Sequence, residues 1–294
     1  MTELYNQISS NKWKSYAIVL LFFLVIAAVV WFASYFFAGF GGFSIGIAGF
    51  LAILLALGGY YWGDKVVLAM SRAKPADENE HRFLLNTVEG LAIAAGLPKP
   101  KAYVIEDEAI NAFATGRNPK NSSVAVTTGA LKKLNRVELE GVIAHEMSHV
   151  KNYDIRLATL AVVMVGFVAI LSDILFRGML WGHGGRNENR GSGAIVVVGI
   201  LFAVLAPIAV KLLQLALSRK REYLADATGA LLTRHPKGLA DALEKIGGDT
   251  RQLNTASEVT ATLYIANPFK HVSAARLLST HPPLEDRIAR LRKM

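Results

Sequence analysis

The sequence predicts a mainly helical α+β protein of the multi-pass membrane class, with four hydrophobic helices and a water-facing part that holds a small antiparallel sheet. Three observations carry this expectation: an apolar composition, two pairs of long apolar runs, and a His-Glu-x-x-His pattern on a helical stretch between those pairs. Of the 294 residues 52% are hydrophobic and only 19% charged, with a mean hydropathy of +0.34. An ordinary globular domain is about 25% charged.

The net charge of +9 and the pI of 9.7 raise nucleic acid as a partner. The basic residues argue against it, because they flank apolar segments instead of forming one run interleaved with aromatics. Lys12 and Lys14, Lys65, Arg72 and Lys74, and Lys211, Arg219, Lys220 and Arg221 stand where membrane proteins keep cations on the cytoplasmic side. Lipid bilayer is therefore an expected partner and nucleic acid is not. There is no cysteine, so any metal must be held by His, Asp or Glu, and a reducing compartment fits.

Taken in order, residues 1–63 form an N-terminal membrane hairpin with spans at about 16–38 and 43–62. No Asp, Glu, Lys or Arg occurs from Ser15 through Gly63, and Gly39, Gly41 and Gly42 break the run near its middle. That length serves two helices of about 20 residues each. The first run exceeds the apolar part of a cleaved signal peptide and reads as a retained anchor.

Residues 64–156 form the first water-facing part. An amphipathic helix over 77–95 carries Phe83, Leu84, Val88, Leu91 and Ile93 at helical spacing and stops at Gly96, Pro98 and Pro100. Three short runs at 102–105, 112–115 and 123–128, separated by turn residues, read as antiparallel strands. Helical pattern returns at 130–134 and from Arg136 onward. Residues 157–217 give a second hydrophobic hairpin, about 157–176 and 194–217, around a loop rich in Gly, Asn and Arg. Its first run is short for a span, and a hairpin buried in the water-facing part is the alternative. Residues 218–294 supply the second water-facing part, with helical patterns at 219–234, 237–246 and 284–293.

The chemistry gathers at His145-Glu146-Met147-Ser148-His149. Residues four apart on a helix share a face, so both imidazoles can meet one metal ion, and Glu146 beside them can take a proton from an attacking water. Two neutral imidazoles suit zinc, one ion per chain. Asn152 and Ile155 occupy the places where an elongated motif would need Gly and His, so the third ligand comes from elsewhere. Asp154, Glu222, His235, Glu258, His271 and His281 are the candidates. Glu222 is favoured because it lies on the helical pattern Ser218-Arg219-Lys220-Arg221-Glu222-Tyr223-Leu224-Ala225-Asp226, with Asp226 one turn on, placed to orient a ligand histidine. Two hydrophobic segments lie between His149 and Glu222, so the chain returns to the side it left.

Four segments in this order resemble the HtpX group of membrane-bound zinc endopeptidases. They are the His145 motif continued through Val150-Lys151-Asn152-Tyr153-Asp154, the Ser218–Asp226 block, Asn111-Ala112-Phe113-Ala114-Thr115-Gly116, and Thr280-His281-Pro282-Pro283-Leu284. The resemblance covers nearly the whole chain. It implies a zincin-like catalytic domain, zinc ligands His145, His149 and Glu222, a catalytic Glu146, and a cytoplasmic site that cleaves misfolded or damaged membrane proteins in stress and quality control. His281, before two prolines in a stiff turn, is the expected second donor to the oxyanion. The run Asn111, Ala112, Phe113, Ala114 is the expected edge strand for an extended substrate. Lys132, Lys133, Arg136, Glu138 and Glu140 before the motif, with Lys151, Asn152 and Asp154 after it, argue against a site inside the bilayer. A protease for prenylated C-termini would be expected to have more than four spans, and a scaffold would have no need of Glu146.

Overall fold

The computed structural model describes residues 9–21, 23, 24, 27, 43–181, 219–269 and 282–294. The 16–38 span lies largely outside them, as do the 194–217 run and His281. Helix α1 covers residues 9–21. Then follow α2 (Phe43–Met70), β1 (Lys74–Pro75), α3 (Arg82–Ala95), β2 (Lys101–Ile105), β3 (Ala112–Asn118), β4 (Asn121–Thr127), α4 (Thr128–Lys133), α5 (Arg136–Lys151), α6 (Asp154–Trp181), α7 (Arg219–Thr233), α8 (Pro236–Gly248) and α9 (Leu284–Leu291).

The sheet is small, as expected, but it is mixed and not purely antiparallel. Its order is β1-β2-β4-β3, and β2 runs parallel to β4 with Lys101 opposite Ser123 and Ile105 opposite Thr127. The two-residue connection after Asn118 fixes β3 and β4 as an antiparallel pair. The segment from β2 onward then crosses over, so that β3 itself serves as the crossover a parallel pair requires. Turn residues report the hairpin but carry no sign of which side β2 joins.

Alternation along the strands sorts two cores. Ala102, Val104, Ala112, Ala114, Val124 and Val126 pack with Leu84, Val88 and Leu91 of α3, Val142, Ile143 and Met147 of α5, and Leu239 and Leu243 of α8. Ile105, Phe113 and Ala125 face the other way, onto Val67 and Leu68 of α2, Val162 of α6, and Tyr264. The sheet is thus sandwiched between helices. A third cluster joins Ile18 of α1, Ala56 of α2 and Leu157, Leu160, Ala161 and Met164 of α6.

Helix α5 is the centre of this arrangement, buried nearly all round. Its start is fixed by a capping box in which Asn135 accepts from the Glu138 N–H at 3.0 Å and the Glu138 carboxylate accepts from the Asn135 N–H at 2.8 Å. It runs against α8 so closely that a Cβ on Gly141 would come 2.7 Å from the Leu239 nitrogen. It ends at a sharp corner: α6 leaves at 83° to it, and Tyr153 takes the turn with φ of +60°. Both α2 and α6 run longer than the apolar spans expected of them, since α2 continues to Met70 and α6 begins at Asp154. Among the described residues no single helix is long and apolar enough to cross a membrane.

Candidate metal centre

One turn of α5 separates His145 from His149, and their Nε2 atoms stand 3.2 Å apart. Helix α7 brings the third group. Glu222 Oε2 lies 3.7 Å from His145 Nε2, and Oε1 lies 3.6 Å from His149 Nε2. Gly229 lets α7 come this near, because a Cβ there would sit 3.0 Å from the His145 nitrogen.

The other nitrogen of each imidazole is held by a carboxylate: Asp226 Oδ1 is 2.9 Å from His145 Nδ1, and Asp154 Oδ2 is 3.1 Å from His149 Nδ1. An ionised carboxylate only accepts, so each Nδ1 carries the proton and each Nε2 turns a lone pair toward Glu222. Two lone pairs and a carboxylate converging on one point call for a cation. Ligands about 2.0 to 2.1 Å from a tetrahedral zinc stand roughly 3.3 Å from one another, close to the spacing of these atoms. The donor set and its spacing fit a single divalent ion.

Without an ion the same convergence attracts a proton. Burial alone would lower His149, but the hydrogen bond it donates to Asp154 and the charge of Glu222 push it up to about 9. Protons and metal therefore compete for His149. His145 goes the other way, lowered chiefly by burial. Glu146, 2% exposed, is pushed up to about 7, mainly by burial and against the pull of His149.

Sequence reasoning missed Arg287. Fully buried on α9, it donates from Nε and Nη2 to both oxygens of Asp226 at 2.9 and 2.7 Å, and from Nη1 to the Ile265 carbonyl at 3.0 Å. Its guanidinium outweighs the burial of Asp226 and holds that carboxyl below the usual carboxylate range. The signal was present: Arg287 falls between Leu284, Ile288 and Leu291 on the apolar stripe of an amphipathic helix, where a solvated cation does not belong.

The remaining candidates are placed as follows. Asp154 serves His149 Nδ1 and not the metal-facing atom. His235 stands exposed at the start of α8 with no side-chain capping bond, and Glu258 is exposed. His271 and His281 lie outside the described residues. The small cavity over the site is bounded by His145, Glu146, His149 and Glu222 and by the apolar side chains of Ile155, Leu263 and Ile265. Ala114 of β3 also lines it.

β3 is an edge strand of the sheet, yet much of its outer edge is engaged. The Ala112 carbonyl accepts from Ile265 N–H at 3.0 Å, and the Gly116 N–H donates to Thr159 Oγ1 at 3.1 Å. Phe113 is in the core against Tyr264, and Asn111 precedes the strand, with its amide bound to the Ala266 carbonyl. Of the expected platform, Ala114 alone reaches the cavity.

Fold and site together define a metallopeptidase. Residues 78–294 match the sequence profile of peptidase family M48. A "Protease HtpX homolog" of Caldanaerobacter subterraneus is 47% identical over 302 residues, covering 99% of this chain and 98% of that protein. Proteins of the same name from Dictyoglomus turgidum and Tropheryma whipplei are 46% and 44% identical, again over 99% of this chain. The crystal structure of S. mikatae Ste24p overlays with a TM-score of 0.48 at 19% identity, over 99% of this chain and 67% of that one. The chain belongs to peptidase family M48 and, within it, to the HtpX proteases.

Proposed function

We propose that this metallopeptidase is a zinc-dependent endopeptidase, anchored in the cytoplasmic membrane by several helices, with its catalytic domain facing the cytoplasm and misfolded or damaged membrane proteins as substrates. The observation that carries the chemistry is the convergence of His145 Nε2, His149 Nε2 and the Glu222 carboxylate, with Glu146 in the same cavity wall. One zinc per chain would supply Lewis acidity there, making water more acidic and polarising the scissile carbonyl.

The chain's own residues do the rest. Asp226 and Asp154 keep both imidazoles in the Nδ1–H tautomer. Glu146, in the cavity wall beside the ligands, takes the proton of the attacking water and passes it to the leaving amine. The Ala114 carbonyl is available to align an extended peptide across the cavity. His281 is assigned as the second donor to the oxyanion. Two further tests apply. His281→Ala should lower turnover with zinc affinity unchanged, and N-methylation of a single substrate amide should weaken cleavage if Ala114 aligns the peptide. Unchanged rates in either case remove that assignment.

Membrane attachment is supported by the apolar side chains that the helices leave outward: Trp13, Tyr16 and Leu20 of α1, Phe50, Ile53, Leu54 and Leu57 of α2, and Ile170 of α6. Neighbouring helices with so much apolar surface open need a lipid cover. The deciding experiment is digestion of an unfolded protein by the detergent-purified enzyme with zinc and with chelator. Cleavage with zinc, arrested by chelator and restored by one equivalent of zinc, is expected. Equal cleavage in chelator would overturn the zinc dependence.

A further inference from the structure

The two ligand histidines are supported unequally. Asp226 is gripped through both oxygens by the buried cation Arg287 at 2.9 and 2.7 Å, whereas the cation beside Asp154, Arg221, stands 3.4 Å away and the shorter bond to Asp154 comes from the far end of the chain. The Asn11 side-chain amide donates to Asp154 Oδ1 at 2.7 Å and to the Asn152 carbonyl at 2.9 Å. Arg221 also approaches Oδ1, at 3.4 Å, a longer and weaker contact. The other oxygen, Oδ2, is then turned to His149 Nδ1.

Asn11 is placed there by α1. Asn11, Ser15 and Ile18, spaced four and three residues apart, are 2%, 1% and 2% exposed and form the inward stripe of that helix, while Trp13 and Leu20 point out. The stripe rests on the corner between α5 and α6, where Tyr153 holds a left-handed backbone conformation, φ of +60°, that residues other than glycine rarely adopt. Three contacts from α1 hold this corner: the Asn11 amide on the Asn152 carbonyl, the Lys12 ammonium 4.5 Å over the Tyr153 ring, and the Tyr16 ring 5.9 Å from the Arg156 guanidinium.

We propose that Asn11 is a positioning residue of the metal site: by fixing the Asp154 carboxylate and the α5–α6 corner it orients His149, so that metal affinity depends on the docking of helix α1. This rests on the metal-site reading above. Among the described hydrogen bonds Oδ1 of Asp154 is met by Asn11 at 2.7 Å and by Arg221 at 3.4 Å, and no residue of the corner itself reaches it, so the shorter tie is the one that α1 brings. The helix carrying the first apolar run is thereby a component of the active site as well as an anchor, and lifting it would loosen His149 without touching His145.

The test uses the full chain in detergent. Zinc dissociation constants are measured by chelator competition, and the visible spectrum of the cobalt-substituted protein is recorded, for wild type, Asn11→Ala, Asp154→Asn and the double variant. Asp154→Asn, which alters the group that orients His149, should weaken zinc roughly tenfold to a hundredfold, and Asn11→Ala, one bond further out, should weaken it by a smaller factor and alter the cobalt spectrum. In the Asp154→Asn background it should add little further loss. Ser15→Ala should leave affinity unchanged, because among the described residues the Ser15 hydroxyl bonds to the Asn11 carbonyl of its own helix. An unchanged zinc constant in Asn11→Ala, or losses that multiply in the double variant, would overturn the proposal. If Asn11→Ala does not fold, Asn11→Leu, which fills similar space but donates no hydrogen bond, is used instead, and wild-type affinity there has the same meaning. A wild type that fails to bind zinc at one per chain would instead count against the metal-site reading itself.

Discussion

Glu146→Gln should lower proteolysis by about a hundredfold to ten-thousandfold while the protein still binds one zinc, because the amide cannot accept a proton but keeps the shape of the carboxyl. The same substitution should stabilise the metal-free protein, and the sign follows from the raised pKa. The folded chain favours the neutral carboxyl, pushed up from 4.5 to about 7. Below the ordinary carboxylate range both folded and unfolded chains hold the proton, and Glu146 costs nothing. As pH rises the unfolded chain ionises first, so the cost grows and is complete above about pH 7, where it reaches about 3 kcal/mol. In chelator, Glu146→Gln should therefore melt higher than wild type at pH 8 and equally at pH 4. A higher melting point at both pH values would show that the gain comes from packing and not from the charge. Zinc should shrink the difference, since a cation nearby offsets the burial.

Arg287→Met should be the most damaging single change away from the ligands. It leaves Asp226, 3% exposed, as a buried carboxylate whose main counter-charge is gone. Removing one partner of a buried pair costs about 3 to 5 kcal/mol. A loss of that size lowers Tm by roughly 10 °C in a chain of this length class. Zinc affinity should fall as well, because Asp226 no longer holds His145 Nδ1 in place. Replacing both partners in Arg287→Met/Asp226→Leu should recover much of the stability but not the zinc affinity. Calorimetry with zinc titration separates the two, and recovery of both by the double variant would mean that the pair supports only the fold. Arg287→Lys should not substitute, since an ammonium cannot span both carboxylate oxygens.

How much of this was legible in the sequence follows from the range of each interaction. The i, i+4 spacing of His145 and His149 and of Glu222 and Asp226 is a property of single helices, so sequence placed each pair on one face. The helix rule also placed α3, α7, α8 and α9 to within a few residues. What pairs with what across the chain is not periodic. The parallel seating of β2 on β4 depends on where β3 lies, and no local residue records it. Asp154 was legible as a group close to the metal, but which imidazole atom it meets is set by the Tyr153 corner. Asn11, an uncharged residue just before an apolar run, resembles any helix start. Arg287 was the most recoverable of the omissions, since its place in the apolar stripe of α9 is visible without a partner.

The ties that orient the two imidazoles also bear on the order of folding. Asn11 is 143 residues from Asp154, and Arg287 is 142 residues from His145. Contacts across such separations close slowly, because the chain must give up much of its freedom before they form. Helix α5 can assemble early from local contacts with its histidines still unconstrained. A nascent or partly folded chain would thus carry the motif without a competent centre, and hydrolytic power would arrive only with the completed tertiary structure, which spares surrounding proteins from an immature protease.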